Sequence, residues 1–336
     1  MVYTDAQEYM VRLREVKAAF SPTAPISKKD LFAGRTEQMM SLIDGVDEPG
    51  QHLVLFGERG VGKTSLATVT SEMLQSGDAL TVKVNCQSND TFSAVWNRAF
   101  NEISITSAVH GTGFASSGST LMTPLTQALG LPETLTADHV RAALTMLSKE
   151  RAVVIFFDEF DRLEVEGVHR EFADTIKTLS DQIIPATVVI VGVADNVDGL
   201  ISEHASVERA LAQISMPRMS EAELAEIVTR GLLSVGMTIS TPALHRITKL
   251  SQGLPHYTHL LAQQAAVSAV NDNDRTEVDI EDIAQAVSQS LEKTQESIAS
   301  LYYRATYSAR DNLYKQVLLA CASAQADDRG FSPRLR

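Results

Sequence analysis

Hydrophobic positions along this chain follow two rhythms. Short apolar runs occupy residues 53–56, 152–157 and 187–193, and residues 80–86 are a further apolar and β-branched segment. They are too short for core helices and rich in β-branched side chains, which predicts strands buried on both faces. Residues 214–216 predict one more short strand. Between the runs the apolar side chains recur at helical spacing, as in residues 66–74, in Phe92, Val95, Trp96, Ala99, Phe100 and Ile103, and in Phe172, Ile176 and Leu179. Strand and helix in alternation imply a parallel sheet covered by helices on both sides.

From Ser220 onward the pattern is helical only, with segments expected at 220–235, 241–252, 255–271 and 279–310. At the other end, a helical pattern over 6–20 runs into the Pro-containing stretch around Pro22 and Pro25. A helix is expected over 36–44, and Glu48-Pro49-Gly50 forms a turn before the first strand. Residues 106–120 are rich in Ser, Gly and Thr and read as a surface loop. There is no internal repeat. The expected division is an N-terminal helix and arm (1–30), a nucleotide-binding domain (31–219), a helical lid (220–310) and a short C-terminal piece (311–336).

Composition narrows the class. The chain has 336 residues, 44% of them apolar, which suits two or three globular domains. No apolar run approaches the 18 residues of a membrane span, and residues 1–5 lack a basic, then apolar, leader. A cytoplasmic protein without membrane attachment is expected. Cys86 and Cys321 lie far apart, one in an expected strand and one in an expected helix, and read as buried free thiols. The net charge of −13 argues against broad attraction to nucleic-acid backbones. The basic tilt near the C-terminus (Arg304, Arg310, Lys315, Arg329, Arg334 and Arg336) is mild enough for a solvated face.

The most specific chemistry lies directly after the first apolar run. Gly57-Glu58-Arg59-Gly60-Val61-Gly62-Lys63-Thr64, followed by Ser65, fits G-x-x-x-x-G-K-[ST] between an expected strand and an expected helix. Glycines let backbone N–H groups wrap a phosphate chain, and the helix N-terminus favours negative charge. Lys63 is placed to reach the β- and γ-phosphates, and the Thr64 hydroxyl to bind Mg²⁺. A second signal closes the 152–157 run with Asp158-Glu159. An acid at the carboxyl end of a buried parallel strand sits where such sheets hold ligands. Asp158 is expected in the Mg²⁺ shell, and Glu159 is expected to orient the attacking water.

The phosphate loop, Asp158-Glu159-Phe160-Asp161-Arg162-Leu163 and the helical region after the sheet together resemble an AAA+ ATPase. The similarity is closest to the initiator branch of origin-recognition and helicase-loader ATPases, and to the related STAND ATPases. Phe32-Ala33-Gly34-Arg35-Thr36-Glu37 is similar to the family's opening motif, which implies a role for Arg35 at the adenine pocket. Val84-Asn85-Cys86 resembles the second strand. Residues 191–196 resemble the sensor-1 strand, implying that Asn196 holds the attacking water or γ-phosphate, with Asp195 as the competing residue. Arg209 falls at the place of the arginine finger. Gly253-Leu254-Pro255-His256 resembles the lid motif, which implies Pro255 and His256 as nucleotide-binding residues, although His256 stands where initiators carry arginine. Residues 312–322 resemble the first helix of a winged helix, which 336 residues leave incomplete.

The resemblance implies an α/β P-loop NTPase with a five-stranded parallel sheet, a helical lid and an incomplete winged-helix start. It implies ATP and Mg²⁺ as cofactors and a homo-oligomer or protein partner. The expected function is an ATP-hydrolysing switch that couples nucleotide state to lid closure and assembly. Two alternatives stay open: a DNA-binding initiator, loader or transposition-type ATPase, and a STAND-like signalling or defence ATPase working through proteins. A metabolite kinase is disfavoured, because the consecutive Asp-Glu pair suits a hydrolase.

Overall fold

A computed structural model describes residues 6–22, 33–109, 119–193, 207–272, 274–289, 306 and 313–323. The chain divides into two compact units, residues 35–216 and residues 1–34 with 217–336.

The first unit is built on a five-stranded sheet. In chain order its elements are α2 (Thr36–Asp47), β1 (His52–Phe56), α3 (Lys63–Ser76), β2 (Leu80–Asn85), α4 (Phe92–Asn101), β3 (Ser104–Val109), β4 (Ser119–Pro124), α5 (Leu125–Ala128), α6 (Ala137–Leu147), β5 (Val153–Asp158), α7 (Val168–Asp181), β6 (Ala186–Gly192) and β7 (Leu211–Ser215). Helix α1 (Ala6–Ala18) precedes them and belongs to the second unit. The strand order is β2-β5-β6-β1-β7, and all four pairings are parallel. Strands β5 and β6 are buried along their whole length, as their unbroken apolar sequences require. The fold is the α/β arrangement that the sequence predicts.

The largest side chains of the core gather on one face of the sheet. Trp96, Phe92 and Phe100 from α4 cluster with Phe157 of β5 and Phe172 of α7, with neighbouring ring centroids 4.9–6.2 Å apart. Helical spacing puts the three α4 aromatics on one stripe. Thr91 caps that helix, accepting from Ala94 N–H at 3.2 Å.

The sequence analysis expected a loop over residues 106–120. The ends of that segment belong instead to an antiparallel pair, β3 with β4, running from Ser104 with Pro124 to Val109 with Ser119, and residues 110–118 lie outside the described residues. Ser and Thr weaken the apolar alternation that marks a half-buried strand, so composition pointed to a loop. The hairpin forms its own two-stranded sheet.

The second unit holds α8 (Glu221–Leu233), α9 (Thr241–Ser251), α10 (Pro255–Asn271), α11 (residues 280–289) and α12 (Tyr314–Ser323). It is not helix only. β8 (Thr238–Ile239) and β9 (Glu277–Val278) form a two-residue parallel clip, too short to leave a periodic signal. Ser220 and Glu223 form a capping box at the start of α8.

Helix α1 is part of this unit rather than a separate arm. Val16, Ala19 and Phe20 join the core formed by Val228, Leu232, Ala262 and Ala266. The Phe20 ring lies over Gly231, where a Cβ would come within 2.4 Å of it. Gln263 Nε2 donates to the carbonyls of Lys17 and Phe20 at 2.9 and 3.3 Å. The 3.6-residue pattern revealed the helix but not the surface it covers. Among the described residues no helix is long and apolar enough to cross a membrane.

Candidate functional site

The phosphate loop leaves β1 at Gly57, whose φ is +157°. A Cβ there would lie 2.4 Å from the Met216 carbonyl oxygen. Met216 comes this close because its N–H donates to the Phe56 carbonyl at 2.8 Å, extending the β1–β7 ladder. Only glycine tolerates that approach. Gly60 and Gly62 have φ of +85° and +96°, and Gly62 caps α3. The helix therefore starts at Lys63, with its first amides directed along the loop.

Lys63 folds over this loop. Its Nζ donates to the carbonyls of Gly57 (2.7 Å) and Glu58 (2.9 Å). Burial pushes the ammonium pKa below its ordinary value, while Asp161 and then Asp158 oppose that shift. Thr64 Oγ1 donates to Asp158 Oδ1 at 3.3 Å, so the two residues expected to hold Mg²⁺ meet. Asp158 is 3% exposed, and burial raises its carboxyl pKa. The Thr64 hydroxyl, the Glu159 N–H (2.9 Å) and the charge of Lys83 counter that rise. A hydroxyl beside a carboxylate supplies hard oxygen donors. That set fits Mg²⁺, which takes one or two protein oxygens and completes its shell with phosphate and water.

Arg35 adopts the left-handed conformation (φ +60°) at the start of α2 and is 3% exposed. Its Nη2 donates to the Val61 carbonyl at 3.4 Å, a contact with the phosphate loop itself. Glu159 is also left-handed (φ +54°) and opens a 3₁₀ turn, Phe160–Arg162. Arg209 is exposed on the turn Glu208–Ala210 before β7. Asn196 and Asp195 lie outside the described residues. Pro255 and His256 belong to the second unit, as the first two residues of α10. Pro255 is buried, and the exposed His256 ring stands edge-on to Tyr257 at 5.2 Å. Within its own unit the structure thus brings together the loop 57–65, Arg35 and Asp158, with Glu159 following Asp158 in the chain and its carboxylate turned to Arg162.

Three neighbours of this site escaped the sequence reading. Asp161 Oδ1 accepts from Val193 N–H at 3.3 Å, joining the turn after β5 to the end of β6. Its signal was its place in the Asp158–Leu163 run, where only the first two acids drew attention. Lys83 Nζ donates to Thr68 Oγ1 at 2.7 Å, and Thr68 donates to the Thr64 carbonyl at 2.8 Å. A lone lysine inside the strand Leu80–Asn85 was the available clue. Arg162 Nη1 donates to Glu159 Oε2 at 2.7 Å. Beside the site, Cys86 N–H donates to the Asp158 carbonyl at 2.8 Å, and burial pushes its thiol up to about 12. Such a thiol is structural, not nucleophilic.

Solved structures share this fold. The Aeropyrum pernix Orc1 protein, in complex with DNA, is similar over 91% of this chain and 75% of its own, at 14% identity and a TM-score of 0.57. The Thermotoga maritima RuvB Holliday junction branch migration motor matches over 92% and 95%, at 17% identity and 0.51. Cdc6p from Pyrobaculum aerophilum matches over 81% and 70%, at 16% and 0.52. No curated protein matches the chain. The sequence profile of nSTAND1, described as Novel STAND NTPase 1, matches residues 21–333. With an AAA+ fold of the initiator and STAND kind around its phosphate loop, the chain belongs to the nSTAND1 family of NTPases.

Proposed function

We propose that this protein is an ATP-hydrolysing switch. The observation that carries this reading is the meeting of Thr64 with Asp158 at 3.3 Å, next to the glycine loop and Lys63. Loop amides and Lys63 bind the triphosphate, and Thr64 and Asp158 hold Mg²⁺, which neutralises charge on the β- and γ-phosphates when bound. Glu159 orients a water molecule. The water oxygen bonds to the γ-phosphorus, and the bridging oxygen leaves with its electron pair on ADP. The water proton passes through Glu159 to solvent, giving inorganic phosphate. Asn196, and Arg209 supplied by a neighbouring copy, complete the charge stabilisation.

The test is ATP affinity and steady-state hydrolysis of Lys63→Ala and Glu159→Gln. The expected result is loss of binding in the first, and retained binding with turnover lowered by roughly 10²-fold or more in the second. Unchanged ATP affinity in Lys63→Ala sinks the assignment. Light scattering of Glu159→Gln with ATP and Mg²⁺ then measures assembly, expected to disappear when Arg209 is also replaced.

A second reading, a DNA-acting ATPase, is favoured by the likeness to an Orc1 protein bound to DNA. The net charge of −13 opposes it. Duplex binding that weakens steeply with salt would establish it.

A further inference from the structure

The two acids of the turn after β5 point to different duties. Asp161 accepts a hydrogen bond from Val193 N–H, and its charge acts on Lys63 ahead of that of Asp158. A side chain at Gly192 would press on Asp161, with its Cβ 3.1 Å from Oδ1, so the turn is seated tightly against the end of β6. Asp161 is therefore held against the end of β6. Glu159 is held differently. Its backbone is fixed at two points: its N–H donates to Asp158 Oδ1, and its carbonyl accepts from Arg162 N–H at 2.9 Å. Its carboxylate is paired with the Arg162 guanidinium at 2.7 Å, with the two side chains 51% and 50% exposed. The intended water-orienting group is thus drawn to the solvent side of its own turn.

We infer that Arg162 is a positioning residue that parks Glu159 in a resting arrangement and slows hydrolysis until the pair opens. This rests on the reading of Glu159 as the residue that orients the attacking water. The pair is well suited to a reversible catch. An exposed ion pair is worth little, so modest new contacts suffice to release it. Glu159 has a left-handed backbone at the head of the turn, and its half-exposed side chain is free of packing that would hold it to one rotamer. Nothing in the balance of the reaction changes: water still adds to the γ-phosphorus and ADP still leaves. Only the fraction of molecules with Glu159 available differs.

The experiment compares steady-state ATP hydrolysis of the full chain, Arg162→Gln, Arg162→Lys, Glu159→Gln and the double variant Arg162→Gln/Glu159→Gln. Arg162→Gln is expected to raise kcat by roughly 1.5- to 5-fold with KM unchanged, the range for breaking an exposed pair. Arg162→Lys keeps a cation and stays near the original rate. The double variant is as slow as Glu159→Gln, because there is no base to release. Turnover in Arg162→Gln no higher than in the unaltered chain overturns the inference, whether that chain's rate is measurable or nil. If Glu159→Gln hydrolyses ATP at the unaltered rate, the role of Glu159 itself falls. Raised salt provides a second readout: it should accelerate the unaltered chain more than Arg162→Gln, since screening weakens only the former's pair.

Discussion

Both units contain a motif glycine jammed against a neighbour and a buried histidine, yet the two pairs teach different lessons. In the sheet unit, Gly57 faces a backbone carbonyl 2.4 Å from where its Cβ would be, and His52 Nδ1 accepts from Val188 N–H at 3.0 Å. In the helical unit, a Cβ on Gly253 would meet the Arg218 Cβ at 2.6 Å and the Met219 carbonyl at 3.0 Å. Its His259 has both ring nitrogens buried without a hydrogen-bond partner among the described residues and packs edge-on to Phe20. The sheet unit spends its special residues on fixing backbone beside the phosphate loop. The helical unit spends them on packing.

The largest effect expected from this contrast is at the glycines. Gly57→Ala pushes a methyl group into a carbonyl of the β7 ladder, which cannot swing aside. It should cost about 3 kcal/mol or more of stability and also weaken ATP binding, because the loop must shift. Gly253→Ala meets a side-chain carbon first, with φ at +78°, and should cost about 1–3 kcal/mol. ATP binding by the sheet unit's own residues should survive it. Urea unfolding and ATP titration of both variants measure the difference. Equal loss of ATP affinity in the two would erase the distinction between the units.

Much of the sheet unit was legible because its signals are dense and local. Apolar runs marked β1, β5 and β6, shorter apolar and β-branched segments marked β2 and β7, and one eight-residue motif marked the loop, helix start and lysine. The polar hairpin β3–β4 was not legible, because Ser and Thr mask strand periodicity. Nor was the docking of α1, since a helical stripe says that a surface is buried but not by which partner. Asp161, Lys83 and Arg162 were missed for a related reason. Their roles come from contacts with Val193, Thr68 and Glu159, and only the last lies nearby in sequence. The lid motif was visible as sequence, but its His256 is exposed beside Tyr257 and gains no role from its surroundings within the unit.

The histidines sharpen the comparison through pH. Burial holds both below their ordinary 6.5, each at about 4. A histidine whose folded pKa is depressed binds more protons when unfolded. Stability is therefore full above about pH 6.5 and falls as pH drops toward 4, and each histidine withdraws on the order of 3 kcal/mol across that window. Urea midpoints measured from pH 7.5 to 4 should decline accordingly. Replacing either histidine by leucine should remove its own share of the slope. A pH-independent midpoint in the unaltered protein would mean that neither ring is kept neutral by the fold.

At neutral pH the same two substitutions should part company, by the smallest margin of the set. His52→Leu leaves the Val188 N–H without an acceptor inside the sheet, a loss of about 1–3 kcal/mol. Because Nδ1 accepts that bond, the neutral ring carries its proton on Nε2, and this proton has no partner among the described residues. Removing it returns part of the cost, so the lower end of the range is expected. His259→Leu breaks no hydrogen bond, removes two buried polar nitrogens and keeps an apolar neighbour for Phe20. It should be neutral or slightly stabilising. Unfolding at pH 7.5 decides between packing and bonding: a His259→Leu penalty as large as that of His52→Leu would show that the helical unit relies on its imidazole as well.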